Sequence, residues 1–232
     1  MVLRRRKQEV NRMDIDVRGD IISNDDKWIY DWLEWDGTCP ADIRQALDSK
    51  PPGEALNVLI NSGGGDVFAG QEIYSMLFGR NDVKIKIQSM AGSAASVIAM
   101  ANESEISPVA MIMIHNVSMR GASGDYHDMQ KNAEILRQMN AALASSYREK
   151  TGRTEEEILR LMDRETWLTA NQAVEMGFVN SVTTETVNFT NDIQGVRLTD
   201  EIRAKVLAEK AQKDIIEKEK DEILNDLDLY GI

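Results

Sequence analysis

Two serines, two histidines, a pair of carboxylates and a run of glycines are the residues whose types and spacing can do chemistry here. The stretch "QSMAGSAASVIAM", 88–100, places Ser93 and Ser96 among small residues where an extended apolar run gives way to helix. A serine hydroxyl is a poor nucleophile until a histidine takes its proton and a third group orients that histidine. The chain has only two histidines, His115 and His127. His115 ends the apolar run "MIMI", where an open α/β sheet commonly presents functional groups. Asp163 and Glu165, in "MDRETWLTANQAVEMGF", are candidate carboxylates. Acyl transfer also needs backbone N–H groups already aimed at the developing oxyanion. A serine at a helix N-terminus lies beside amides without intrahelical acceptors. Gly63, Gly64 and Gly65 can bring a further N–H close to a substrate without side-chain hindrance. Each signal has a plain structural alternative: serines cap helices, glycines turn chains, and a histidine after a strand can be structural. Together they make up the parts of a serine hydrolase, with the choice between Ser93 and Ser96 open on these grounds.

The elements that must position these residues alternate between strand and helix. "MDIDVRGDI" alternates apolar and polar residues and predicts a strand ended by "SNDD". "KWIYDWLEW" and "PADIRQALDS" carry apolar residues at helical spacing. "ALNVLIN" predicts a short buried strand broken by Ser62 and the glycines, followed by a helix over "DVFAGQEIYSMLF" with Asp66 in its first turn. "VKIKIQSM" is a further strand, "SVIAMAN" a short helix and "VAMIMIH" a third buried strand. A long helix is expected from Tyr126 to Lys150, with Met129, Leu136, Met139, Leu143 and Tyr147 on one face and Gly152 beyond its end. Thr154 to Glu157 forms a capping box for the next helix. Such alternation predicts an α/β domain with right-handed crossovers.

Composition narrows the classes. The 232 residues suffice for one sizeable domain plus an extension, and 42% are hydrophobic. A net charge of −12 argues against a nucleic-acid surface, and Arg4-Arg5-Arg6-Lys7 reads as a solvated basic segment, 1–12. Cys39 is the single cysteine, so neither an internal disulfide nor a cysteine-rich metal site is expected, and no metal or cofactor is called for. No apolar run reaches membrane-spanning length, no signal peptide is evident, and the expected location is the cytoplasm. The domain is expected over 13–185, a polar linker over 186–198 and a charged helical tail over 199–232.

Four blocks in order, "INSGGGDVFAG", "MAGSAASVIAM", "MIMIHN" and "ETWLTANQAVEMGFVN", resemble the Clp peptidase family of self-compartmentalised serine proteases. They look most like the Clp-related head maturation proteases of tailed bacteriophages. The resemblance covers about residues 13–185. It implies a crotonase-like (Clp/enoyl-hydratase) α/β fold with stacked, mostly parallel strands and a long handle helix, and endopeptidase activity with the order Ser, His, acid. Carried over by position, it implies Ser96 as nucleophile after Gly92-Ser93-Ala94-Ala95, and His115 as base. It implies oxyanion donors at the N–H groups of Gly65 and Val97, with Gly63 and Gly64 beside the substrate. The acid position, two before Trp167, holds Glu165 where cellular members have aspartate, and Asp163 is the reserve. Gly63 also stands where those members usually have proline.

The resemblance further implies a stacked-ring homo-oligomer and protein substrates, for a phage enzyme scaffold or coat protein inside the immature head. A cellular-type role would need a separate ATPase, since the chain has no Walker-type motif. The rival readings are an acyl-CoA enzyme on the same fold, disfavoured by the absence of a basic patch for CoA phosphates, an inactive ring protein, and a Ser–Lys peptidase.

Overall fold

The computed structural model describes residues 12–183 and 198–230. The chain divides into two compact units, 1–195 and 196–232. In the second, α8 (Asp200–Tyr230) is a single helix of 31 residues. The expected basic segment, apart from Arg12, and the expected linker, apart from Leu198, lie outside the described residues. Among the described residues no helix is long and apolar enough to cross a membrane.

The first unit is built on one sheet. β1 (Arg12–Ile21), β3 (Ala55–Gly65) and β4 (Val83–Gly92) run side by side and parallel at its centre, and β2 (Gly37–Thr38) extends the edge beyond β1. Three helices connect these strands: α1 (Lys27–Trp32), α2 (Pro40–Ser49) and α3 (Val67–Leu77). Leu56, Val58 and Ile60 of β3 and Ile85 and Ile87 of β4 have essentially no solvent contact. These residues share the inward face of their strands, since side chains two apart point the same way, and each contributes about 1.5–3 kcal/mol by burial.

β4 forks, and the fork positions the site. Its first half, Ile85 to Ile87, pairs with β5 (Ser104–Ile106), which carries β8 (Ser181–Val182) at its far edge. Its last residues, Met90 to Gly92, pair instead with β6 (Met111–Ile114). β6 in turn pairs antiparallel with β7 (Thr166–Thr169). The ends of β4 and β6 therefore lie side by side, which sets Ser93 and His115 at one edge of the fork.

Two local expectations are corrected. The glycine run does not break β3: the strand continues to Gly65, with Asp20 opposite Gly64 and Ile21 opposite Gly65 after a register shift in β1. Asp66 is the N-cap of α3 rather than part of its first turn, its side chain accepting from Ala69 N at 2.7 Å. The long helix is α5 (Tyr126–Thr151), closed by Gly152 at φ 70°. Leu143 and Tyr147 are buried in its second half, whereas Met129 near its start is exposed. The capping box at Thr154 opens α6 (Glu155–Asp163). α4 (Ala94–Ala99) follows β4, and α7 (Ala170–Glu175) follows β7.

Candidate active site

Ser93 joins β4 to α4 with φ 51° and ψ −123°, a backbone conformation costing an L-residue on the order of 1–3 kcal/mol. The surroundings over-determine it. Ser93 N–H donates to Met113 O at 2.8 Å, continuing the β4–β6 pairing. Its carbonyl accepts from Ser96 N–H at 2.9 Å, Val97 N–H at 3.3 Å and the Ser96 hydroxyl at 2.6 Å. Held in this way, the Ser93 side chain meets the imidazole: Oγ lies 2.7 Å from His115 Nε2. Both residues are half-buried, open enough for a substrate to reach.

Ser96, expected as the nucleophile, is elsewhere. It is fully buried, its hydroxyl donates to the Ser93 carbonyl, and Tyr147 Oη lies 2.8 Å from it. Three residues along a helix bring a side chain nearly round to the face it started from, but Ser93 lies before the helix with a non-helical backbone. Ser96 therefore points into the body of the unit while Ser93 points out. Since the one Ser96 proton goes to the carbonyl, Tyr147 is the donor in the second bond. Burial pushes the Tyr147 phenol up from its ordinary value, which keeps that proton in place.

One of the expected oxyanion donors is engaged elsewhere. Val97 N–H is spent on the Ser93 carbonyl. Gly65 faces β1: a Cβ there would lie 2.1 Å from Ile21 O. The glycine against the nucleophile candidate is Gly64, where a Cβ would fall 2.6 Å from Ser93 Cβ and 3.0 Å from Ala94 N. Its N–H is held by Ser62 Oγ at 3.1 Å, and that hydroxyl donates to Gly19 O at 2.6 Å, so Ser62 fixes the glycine segment against β1. Ala94 provides the first amide of α4, one of those lacking an intrahelical acceptor.

The two carboxylates approach His115 differently. In the β6–β7 ladder Ile114 pairs with Thr166, and His115 and Glu165 are the residues just beyond that pair. Glu165 has φ 50°, and its carboxylate accepts from Trp167 Nε1 at 3.2 Å. Asp163 accepts from Asn116 Nδ2 at 2.8 Å. Among the described residues, the His115 side chain bonds to Ser93 and to neither acid. His127 is apart from all this, its ring lying on Tyr126 at the exposed start of α5. No cluster of histidine, cysteine and carboxylate able to hold a metal occurs among the described residues. Sequence reading does not single out Ser62, Asn116 or the hydroxyl of Tyr147 for this site, because nothing in their local pattern marks a contact made across the fold.

A serine turned onto a histidine at the carboxyl ends of parallel strands is the arrangement of a serine-type hydrolase. The Clp protease family model matches residues 43–186. The ATP-dependent Clp protease proteolytic subunit 2 of Tropheryma whipplei is 34% identical over 143 residues, 60% of this chain and 79% of the relative. The ATP-dependent Clp protease proteolytic subunit of Bacteroides fragilis is 34% identical over 140 residues, 59% and 67% of the two chains. Among solved structures, a ClpP1 mutant from Listeria monocytogenes superposes with a TM-score of 0.58 at 23% identity, covering 74% of this chain and 91% of that one. The chain belongs to the Clp protease family and is a serine-type peptidase with the crotonase-like fold.

Proposed function

We propose that the chain hydrolyses peptide bonds with Ser93 as nucleophile and His115 as general base. The contact of 2.7 Å between Ser93 Oγ and His115 Nε2 carries this reading. As Oγ attacks the scissile carbonyl carbon, its proton passes to Nε2 and the carbonyl π pair moves to oxygen. The Ala94 N–H, with Gly64 beside it, receives that oxyanion, and Gly63 and Gly64 flank the substrate backbone. His115 then returns the proton to the leaving amine as the C–N bond breaks. A water, deprotonated by His115, releases the acyl group. Glu165 is the orienting acid, since it adjoins the end of the β6–β7 ladder just beyond which His115 lies.

We place this chemistry in a homo-oligomer acting on protein substrates. Resemblance of the four sequence blocks to phage head maturation proteases supports scaffold or coat protein as the substrate, and the immature head, within the host cytoplasm, as the location. The named relatives support a second reading, that of a proteolytic subunit fed by a separate ATPase. The tail from residue 199 lies beyond the matched region and serves as a tether rather than as part of the catalytic domain. Mass spectrometry after fluorophosphonate treatment tests the site: the adduct is expected on Ser93, and an adduct on Ser96 overturns the assignment. Cleavage of scaffold protein without nucleotide, against ATP-dependent cleavage of an unfolded protein with an added Clp ATPase, separates the two roles.

A further inference from the structure

We infer that Tyr147 and Ser96 are positioning residues, forming a buried relay from the long helix α5 that holds the Ser93–Ala94 peptide in its catalytic orientation. The inference rests on the assignment of Ser93 as nucleophile. Tyr147 Oη donates to Ser96 Oγ at 2.8 Å, and Ser96 Oγ donates to the Ser93 carbonyl at 2.6 Å. Both side chains are buried, so water does not compete for these bonds, and hydrogen bonds in such surroundings polarise one another.

The relay ends on an unusual acceptor. An N-terminal helix carbonyl ordinarily needs only backbone donors, and this one already has Ser96 N–H and Val97 N–H. The third donor falls on the one residue of α4's entrance whose backbone is strained, with φ 51°. A peptide group is planar and trans, so its C=O and N–H point in opposite directions. Anchoring the Ser93 carbonyl into the helix therefore aims the Ala94 N–H outward, beside Ser93 Oγ and over Gly64. One anchor thus fixes both the φ/ψ pair that presents the nucleophile and the amide proposed to receive the oxyanion. A donor misaligned by relaxation of that peptide weakens the transition state more than the bound substrate.

Tyr147→Phe removes only the phenolic oxygen and tests this in the full-length protein. The expected result is a kcat about tenfold lower with KM unchanged, the pattern of an interaction made in the transition state. A peptide boronate, whose tetrahedral adduct on serine places an oxygen in the oxyanion position, should lose affinity in parallel, while a non-covalent peptide should bind as before. Ser96→Ala should show the same split, and the double variant should be little worse than Ser96→Ala alone, since both act through one carbonyl. If Tyr147→Phe does not fold, Ser96→Ala carries the same expectations. Unchanged kcat and boronate affinity in a folded variant overturn the relay, as does a loss shared equally between boronate and non-covalent peptide. Fluorophosphonate labelling of the unsubstituted protein is done first: an adduct away from Ser93 sinks the nucleophile assignment itself, whereas an adduct on Ser93 with indifferent variants sinks only the relay.

Discussion

Ser93 and Ser96 lie three residues apart at the entrance to α4, and their hydroxyls face opposite ways. Ser93 Oγ meets His115 Nε2 on the open side, while Ser96 Oγ is buried against the Ser93 carbonyl and Tyr147. One serine has a base and access, and the other has neither. The division follows from backbone conformation, since positive φ at Ser93 swings its side chain off the face that α4 goes on to bury.

Ser93→Ala should therefore lower peptide turnover by at least ~10³-fold, and His115→Ala should match it, because members of a triad act as a unit. The double variant should be scarcely worse than either single one. Turnover of a fluorogenic peptide by all three, with circular dichroism to confirm folding, checks this. Near-normal turnover in His115→Ala would remove the histidine from the mechanism.

Much of this arrangement is legible in the chain. The apolar residues of β3, β4 and β6, the capping box at Thr154 and the glycine at 152 are local signals, and the structure has a strand or helix at each, though β3 runs on past its apolar segment to Gly65. The choice between Ser93 and Ser96 is not local. "GSAAS" offers two serines in similar surroundings, and position counting favours the one that the fold buries. What decides is the fork in β4, which brings Met113 against Ser93; pairing between distant strands leaves no mark in a single segment. The glycine run behaves as it does for the same reason, because β3 runs on through it beside β1, with Gly65 paired to Ile21. Asp163 and Glu165 are both visible as candidates, but only the β6–β7 register distinguishes their positions.

That register ranks the acids. Glu165 and His115 are the residues just beyond the last ladder pair, Ile114 and Thr166, whereas Asp163 is bonded to Asn116. Glu165→Gln should lower kcat at least ~10-fold, since an amide neither holds the imidazole tautomer nor stabilises the imidazolium. Asp163→Asn should cost less. Measured side by side on one peptide, the reverse order would assign the orienting role to Asp163.

Away from the site, Asp82 ties the turn before β4 to the end of α2. Its carboxylate lies 3.1 Å from Arg80 Nε and 3.0 Å from Lys50 Nζ. Hydrogen bonds from Arg80 and then Lys50 hold its carboxyl down to about 2. A carboxyl whose folded value lies below its unfolded value stabilises the fold above the unfolded value, and that contribution is lost as pH falls toward the folded one. The melting temperature of the protein should thus exceed that of Asp82→Asn by a constant margin above about pH 5, the upper end of the range where an unfolded aspartate titrates. The margin should shrink between there and about pH 2. A difference that stays flat over that range would show that the pairing does not stabilise the folded state.

Gly64 permits the sharpest test of how close the glycine strand must come to the nucleophile. With φ at 105°, it adopts a backbone that L-residues rarely take, and an added Cβ would fall 2.6 Å from Ser93 Cβ and 3.0 Å from Ala94 N. Alanine there must push β3 away from the start of α4, which displaces the Ala94 amide proposed to receive the oxyanion. A displaced donor forfeits stabilisation that exists only in the transition state, so Gly64→Ala should cut kcat by about 10²-fold or more. Backbone strain alone would also follow from the substitution, and Gly79→Ala controls for it. Gly79 has φ 69°, and a Cβ added there would have nothing within 4 Å, so alanine meets the strain, about 1 kcal/mol, without a collision. Gly79→Ala should melt slightly earlier and cleave peptide at the ordinary rate. Gly64→Ala should lose turnover far beyond any matching loss of stability. Equal turnover in the two variants, with both folded, would place Gly64 outside the catalytic cleft.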